Sequence, residues 1–132
     1  MNKRIALWLG LAALPAALAA EPLWQVVVPN PEGDFMVDSR SIRREGAVVR
    51  FKSLRDYRKE QSTYDGKAYR STLAVIEMDC KAQEAIVLEM TYYTDRMLKG
   101  TISLREEKFH LRQPIDENAP IRRYAQRLCK PA

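Results

Sequence analysis

After its first twenty residues, apolar and polar positions alternate along most of this chain, and a period of two marks half-buried strands. Residues 23–28 (LWQVVV) are apolar and β-branched and predict a first strand, ended by the turn Pro29-Asn30-Pro31-Glu32-Gly33. Residues 34–38 (DFMVD) predict a short second strand. Residues 39–43 (SRSIR) are too few for an independent helix; they predict one helical turn, opened by the Asp38 carboxylate capping the amides that follow. Beyond the tight turn Glu45-Gly46, residues 47–57 (AVVRFKSLRDY) predict a long strand with Val49 and Phe51 on one face and Arg50 and Lys52 on the other. Residues 58–67 (RKEQSTYDGK) are polar and contain Asp65-Gly66, which predicts a loop. Residues 69–79 predict another strand. Residues 84–93 (EAIVLEMTYY) are ambiguous, because Ala, Glu, Leu and Met favour helix. The hairpin-length connection Lys81-Ala82-Gln83 and the β-forming end Thr91-Tyr92-Tyr93 decide for a strand. Residues 101–110 predict a sixth strand, whose later half is charged and suits an exposed edge.

The period changes in the tail. A connection with two prolines, residues 114–120, precedes Ile121, Tyr124, Ala125 and Leu128, which recur at i, i+3, i+4 and i+7 and form one apolar face of a short helix. Pro120 suits the first turn, and Arg127 and Lys130 suit the negative end of the helix dipole. A helix this short is marginal alone and needs packing or a covalent tie. The fold class expected is α+β: an antiparallel sheet of about six strands with one C-terminal helix held across it.

The first twenty residues have a different logic. Asn2-Lys3-Arg4 is a short basic head, residues 5–14 are an apolar run, and Ala16-Ala17-Leu18-Ala19-Ala20 is a small-residue cleavage region. This pattern predicts a secretory signal peptide over residues 1–20, leaving residues 21–132 as a single domain. The apolar run is too short to span a bilayer, so no membrane anchor is expected after cleavage. The signal peptide holds no cysteine after its apolar run, so no lipid attachment is expected either. Export also sets the redox setting. The only two cysteines, Cys80 and Cys129, are expected to pair in an oxidising compartment and tie the helix to the sheet. Closing a loop of that length is worth roughly 4 kcal/mol on chain-entropy grounds.

Charge adds less. The net charge of +5 falls to +3 with the loss of Lys3 and Arg4. That mild basicity suits solubility and favours anionic partners, but an exported chain without a stacking motif does not suggest nucleic acid. His110 is the only histidine and has no metal-ligating neighbours at suitable spacing, so a solvated strand-end histidine is expected. Glu77 and Asp79 share one strand face, yet no cleft aromatics surround them, and capping or pairing with arginines is the expected use. Ser39, Ser41 and Ser71 lack a histidine base in any recognisable order. No catalytic centre and no cofactor are expected. The basic residues are the candidates for a binding surface: Arg50 and Lys52, with Arg55, Arg58 and Lys59 nearby, and Lys67, Arg70 and Lys81 around the adjoining strand, with Tyr69 beside them. Arginine with tyrosine is the composition of a binding hot spot. A free strand edge would let two copies pair as a homodimer.

One ordered set of motifs points to a family. Phe35-Met36-Val37-Asp38-Ser39-Arg40-Ser41-Ile42, then Gly46, Asp56-Tyr57, Lys67-Ala68-Tyr69-Arg70-Ser71, Glu77-Met78-Asp79-Cys80 and Leu128-Cys129 resemble the surface-adhesin protein E family across residues 24–129. The resemblance implies a sheet with a disulfide-tethered C-terminal helix. It also implies an adhesin-type role, binding host matrix and serum proteins such as laminin, vitronectin and plasminogen. The family's named member is a surface lipoprotein, whereas this chain has no attachment cysteine. The alternative is therefore a soluble periplasmic accessory or structural protein with an envelope partner. The periplasm is the first expectation for location, with the cell surface or the medium as alternatives.

Overall fold

The computed structural model describes residues 21–108, 111–116 and 121–130, together with Gly10. The expected signal peptide, His110 and Pro120 lie outside the described residues. The described chain forms one antiparallel sheet. Its strands are β1 (Trp24–Val28), β2 (Gly33–Asp38), β3 (Arg43–Glu45), β4 (Val48–Ser62), β5 (Ala68–Asp79), β6 (Glu84–Tyr93), β7 (Ile102–Glu106) and β8 (Leu111–Pro114), and helix α1 spans Arg122–Cys129. The main path runs β1-β2-β4-β5-β6-β7, the six strands that alternation predicts. The short strands β3 and β8 are additions. β2 and β3 lie end to end along one side of β4, opposite Ser53–Tyr57 and Val48–Arg50 respectively. β7 and β8 likewise share the outer side of β6. With eight strands and one eight-residue helix, the fold is more sheet-rich than an α+β description suggests.

Four expectations need correction. Residues 39–43 do not form one helical turn. A 3₁₀ turn covers Ser39–Ser41, opened by the Asp38 carboxylate as expected, and the chain then extends into β3. β3 and β4 meet in a two-residue hairpin loop, Gly46-Ala47, where Gly46 takes φ +59, the left-handed setting such loops require. Residues 58–62 are not loop but the end of β4, which runs past the sheet as a two-stranded arm with β5. Its register slips there: β4 takes five steps from Asp56 to Gln61 where β5 takes two from Ser71 to Tyr69. The sixth predicted strand stops at Glu106, and Pro114 ends β8 rather than opening a connection.

Register places the side chains in rows. On the helix-bearing face one row runs Val49, Met78, Ala85 and Gln113, and the next Phe51, Ile76, Val87 and Leu111. Then come Val37, Ser53, Ala74 and Met90, and finally Phe35, Arg55, Thr72 and Tyr92. Helix α1 sits over the first rows. Tyr124 meets Phe51 edge-to-face with ring centroids 6.2 Å apart, and Ala125 and Leu128 complete the buried cluster. Phe51, Val49 and Met78 are at most 1% exposed, and each such side chain contributes about 1.5–3 kcal/mol through burial. Cys80 and Cys129 are joined in a disulfide with Cα atoms 5.4 Å apart, and Arg44 donates a hydrogen bond to the Leu128 carbonyl. Ile42 packs at the core edge. Gly33 lies opposite Tyr57, where a Cβ would come 2.8 Å from the Asp56 carbonyl oxygen, so only glycine fits without a shift.

Candidate functional site

The long β4–β5 hairpin leaves part of the helix-bearing face uncovered by the described residues. α1 has eight residues and so reaches about 12 Å, whereas β4 has fifteen and extends about 50 Å. The uncovered rows carry a different chemistry from the core. Arg55 holds its guanidinium carbon 5.8 Å from the Phe35 ring centre and 6.0 Å from that of Tyr57, within cation–π range. Tyr57 packs edge-on against Tyr69 at 5.8 Å, and Tyr69 against Tyr92 at 4.9 Å. The result is an aromatic row crossing four strands, every ring half-buried, with an exposed arginine among them. Burial raises the phenol pKa of Tyr69, helped by the adjacent Tyr57 hydroxyl and opposed by Arg55. Burial also raises that of Tyr92, with the Glu106 charge adding to it. Both phenols therefore stay neutral donors at physiological pH.

Between this row and α1 lies an apolar groove of about 420 Å³. Ala74, Ile76, Val87 and Met90 form its floor, Ile115 and Ile121 one wall, and Phe35, Arg55 and Tyr57 one end.

The reverse of the open region is clamped. Asp56 and Ser71 face each other on the opposite side of the sheet. Asp56 is 3% exposed and accepts from Arg96 Nε at 3.0 Å, Arg96 Nη2 at 2.6 Å and the Met97 amide at 2.8 Å. The Ser71 hydroxyl donates to the Asp95 carbonyl at 2.5 Å and accepts from the Leu98 amide at 2.9 Å. These bonds hold Met97 and Leu98 at φ 55 and 60, a left-handed backbone that costs about 1–2 kcal/mol per non-glycine residue. The clamp was hidden in the sequence, where Asp56 follows the polar positions of its strand and looks solvated.

The basic candidates do not form one patch. Arg50 and Lys52 face away from the helix, and Arg50 pairs with Glu77 at 2.8 Å. Arg55, three places beyond Lys52, points to the opposite face with the aromatic row. Lys67 sits at the far hairpin turn, 3.5 Å from Asp65. Lys81 lies beyond the other end of the twelve-residue β5, roughly 35 Å away. Arg70 is exposed next to Tyr69, and Arg58 lies 4.0 Å from Asp34. Of the sequence candidates, Tyr69 and Arg55 stand in the aromatic row. Phe35, Tyr57 and Tyr92 were missed as site residues; an aromatic residue on each of three separate strands was the available signal.

The residues weighed for catalysis have structural roles. Glu77 serves Arg50, and Asp79 caps the β5–β6 turn by accepting from the Lys81 and Ala82 amides at 3.0 Å each. Ser39 donates to the Leu23 carbonyl, and Ser41 donates to the Asp38 carbonyl while accepting from the Lys52 amide.

The single antiparallel sheet with its terminal helix aligns with solved bacterial proteins. Protein E from non-typeable Haemophilus influenzae aligns with a TM-score of 0.64 at 16% identity, covering 88% of this chain and 80% of that one. A second structure of Haemophilus influenzae protein E aligns at 0.63 and 15% identity, covering 88% and 89%. Identity this low shows the fold alone. The family model described as surface-adhesin protein E matches residues 24–130. The chain belongs to the surface-adhesin protein E family. Comparison with curated proteins gives no match.

Proposed function

We propose that this protein is a non-catalytic, adhesin-type binding protein that meets a protein partner through the uncovered aromatic row. The carrying observation is that Phe35, Arg55, Tyr57, Tyr69 and Tyr92 are gathered on a sheet face that α1 does not reach. Interfaces draw most of their energy from such Tyr and Arg anchors, and the Asp56–Ser71 clamp behind them lowers the ordering cost of binding. Family membership supports a surface adhesin, with host matrix and serum proteins as the partner class. It also favours an exported or cell-surface location over a periplasmic accessory role. Arg50, Lys52, Lys67, Arg70 and Lys81 then steer anionic partners rather than anchor them.

The test is binding to immobilised laminin, vitronectin and plasminogen. The Tyr57→Ser/Tyr69→Ser variant is expected to lose at least one partner. Charge reversal of Arg50, Lys52, Lys67 and Arg70 is expected mainly to slow association and flatten its salt dependence. Failure of the wild type to bind any such protein, or full binding by the tyrosine variant, would overturn the proposal. Protease digestion of intact cells reports the location: cleavage without permeabilisation is expected, and protection until permeabilisation would remove surface display.

A further inference from the structure

The groove beside the aromatic row has a chemistry that protein contact does not use. Its floor is the side-chain surface of β4, β5 and β6, whose backbone amides and carbonyls are spent in the sheet ladder. Among the described residues, the polar lining is limited to Ser53, Thr72 and Gln113 and the arginine–tyrosine end. A peptide laid along this floor would bury its own amides without partners, at a cost of about 1–3 kcal/mol for each. A hydrocarbon chain carries no such groups. About 420 Å³ also lies within the usual range for small-molecule sites.

One end of the groove is cationic. Arg55 makes no ion pair or hydrogen bond among the described residues, and the Phe35 and Tyr57 rings hold it at the groove end. Tyr57 lines the same end, and Tyr69 packs against it. A guanidinium with its fork of donors still free fits a carboxylate. Glu106, across from Met90 on the same face, is three strands from Arg55. That is about 14 Å, beyond the screening length in physiological salt.

We propose that the groove binds a fatty-acid anion, its carboxylate on Arg55 and its hydrocarbon chain along Ala74, Ile76, Val87 and Met90. The groove shares Arg55 and Tyr57 with the proposed contact surface, but this inference goes beyond adhesion because it needs no macromolecular partner. The probe is myristate, titrated calorimetrically into the disulfide-bonded protein below the concentration at which myristate self-associates, with myristyl alcohol as the uncharged control. Saturable binding of one myristate per chain is expected, with the alcohol weaker. Arg55→Gln, an exposed change that leaves the core intact, is expected to weaken myristate roughly tenfold or more and leave the alcohol nearly unchanged. Val87→Phe is expected to weaken both ligands while the melting transition persists. No saturable binding to the wild type would overturn the proposal, as would equal effects of Arg55→Gln on acid and alcohol. Binding only of peptides with a terminal carboxylate, and not of myristate, would overturn it too.

Discussion

The two halves of the helix-bearing face are made by the same strands and end in opposite states. Under α1, Val49, Phe51 and Met78 are sealed by Tyr124, Ala125 and Leu128. A few residues along the same strands, Phe35, Tyr57, Tyr69 and Tyr92 stay half-buried around an exposed arginine. Helix length decides the difference, because eight helical residues cannot roof strands of twelve and fifteen. The open half is nevertheless braced from behind, where Asp56 and Ser71 tie down the 95–98 loop. Thus stability is concentrated in one half, and the other is a firm surface left free for contact.

The division is tested most severely by Phe51→Ala, which empties the centre of the covered half and should cost about 3–5 kcal/mol, read as a large fall in the denaturant midpoint. Reducing the Cys80–Cys129 bond comes next. Loss of a tie across 49 residues should cost roughly 4 kcal/mol or somewhat less, with α1 losing amide-exchange protection before β4 and β5 do. If helix and strands open together, the covered half does not depend on the staple. Asp56→Ala removes the acceptor shared by Arg96 and Met97; because Arg96 is half-exposed, about 2 kcal/mol is expected, with faster amide exchange confined to the 95–98 loop.

The smallest effect is a pH dependence common to both halves. Tyr69, Tyr92 and Tyr124 all have pKa values raised above 10.0, chiefly by burial. The fold therefore holds these protons more tightly than the unfolded chain does. Their contribution is complete below pH 10 and is lost as pH rises through the folded values. Stability should be flat across neutral pH and decline above about 10, with phenolate absorbance appearing later in the native protein than in the denatured one.

Alternation, β-branched apolar runs and turn signals together made six strands legible, and the i, i+3, i+4, i+7 pattern made α1 legible. Arg43–Glu45 is exposed on every residue, so β3 left no apolar trace and follows only from the Gly46 hairpin. Residues 58–62 escaped for the same reason, forming an arm with no core to face. The pairing of Cys80 with Cys129 follows from their number and the expectation of export. The aromatic row was harder to see. Phe35, Arg55 and Tyr92 share a row through cross-strand register, and Tyr69 joins them only because the register slips between Asp56 and Gln61. Sequence spacing alone had instead joined Arg50, Lys52 and Arg55, which strand alternation sends to opposite faces.

The most direct test compares Tyr69→Ser/Tyr92→Ser with Phe51→Ala, measuring melting temperature and binding to the host matrix proteins in parallel. The account predicts that the tyrosine variant, which loses two ring pairs and two half-buried rings, is destabilised by roughly 2–3 kcal/mol, less than Phe51→Ala, but loses binding. It predicts that Phe51→Ala melts far lower yet binds normally at temperatures where it remains folded. Full binding by the tyrosine variant, or a collapse of its stability to match Phe51→Ala, would contradict the division of this face into a core and a contact surface.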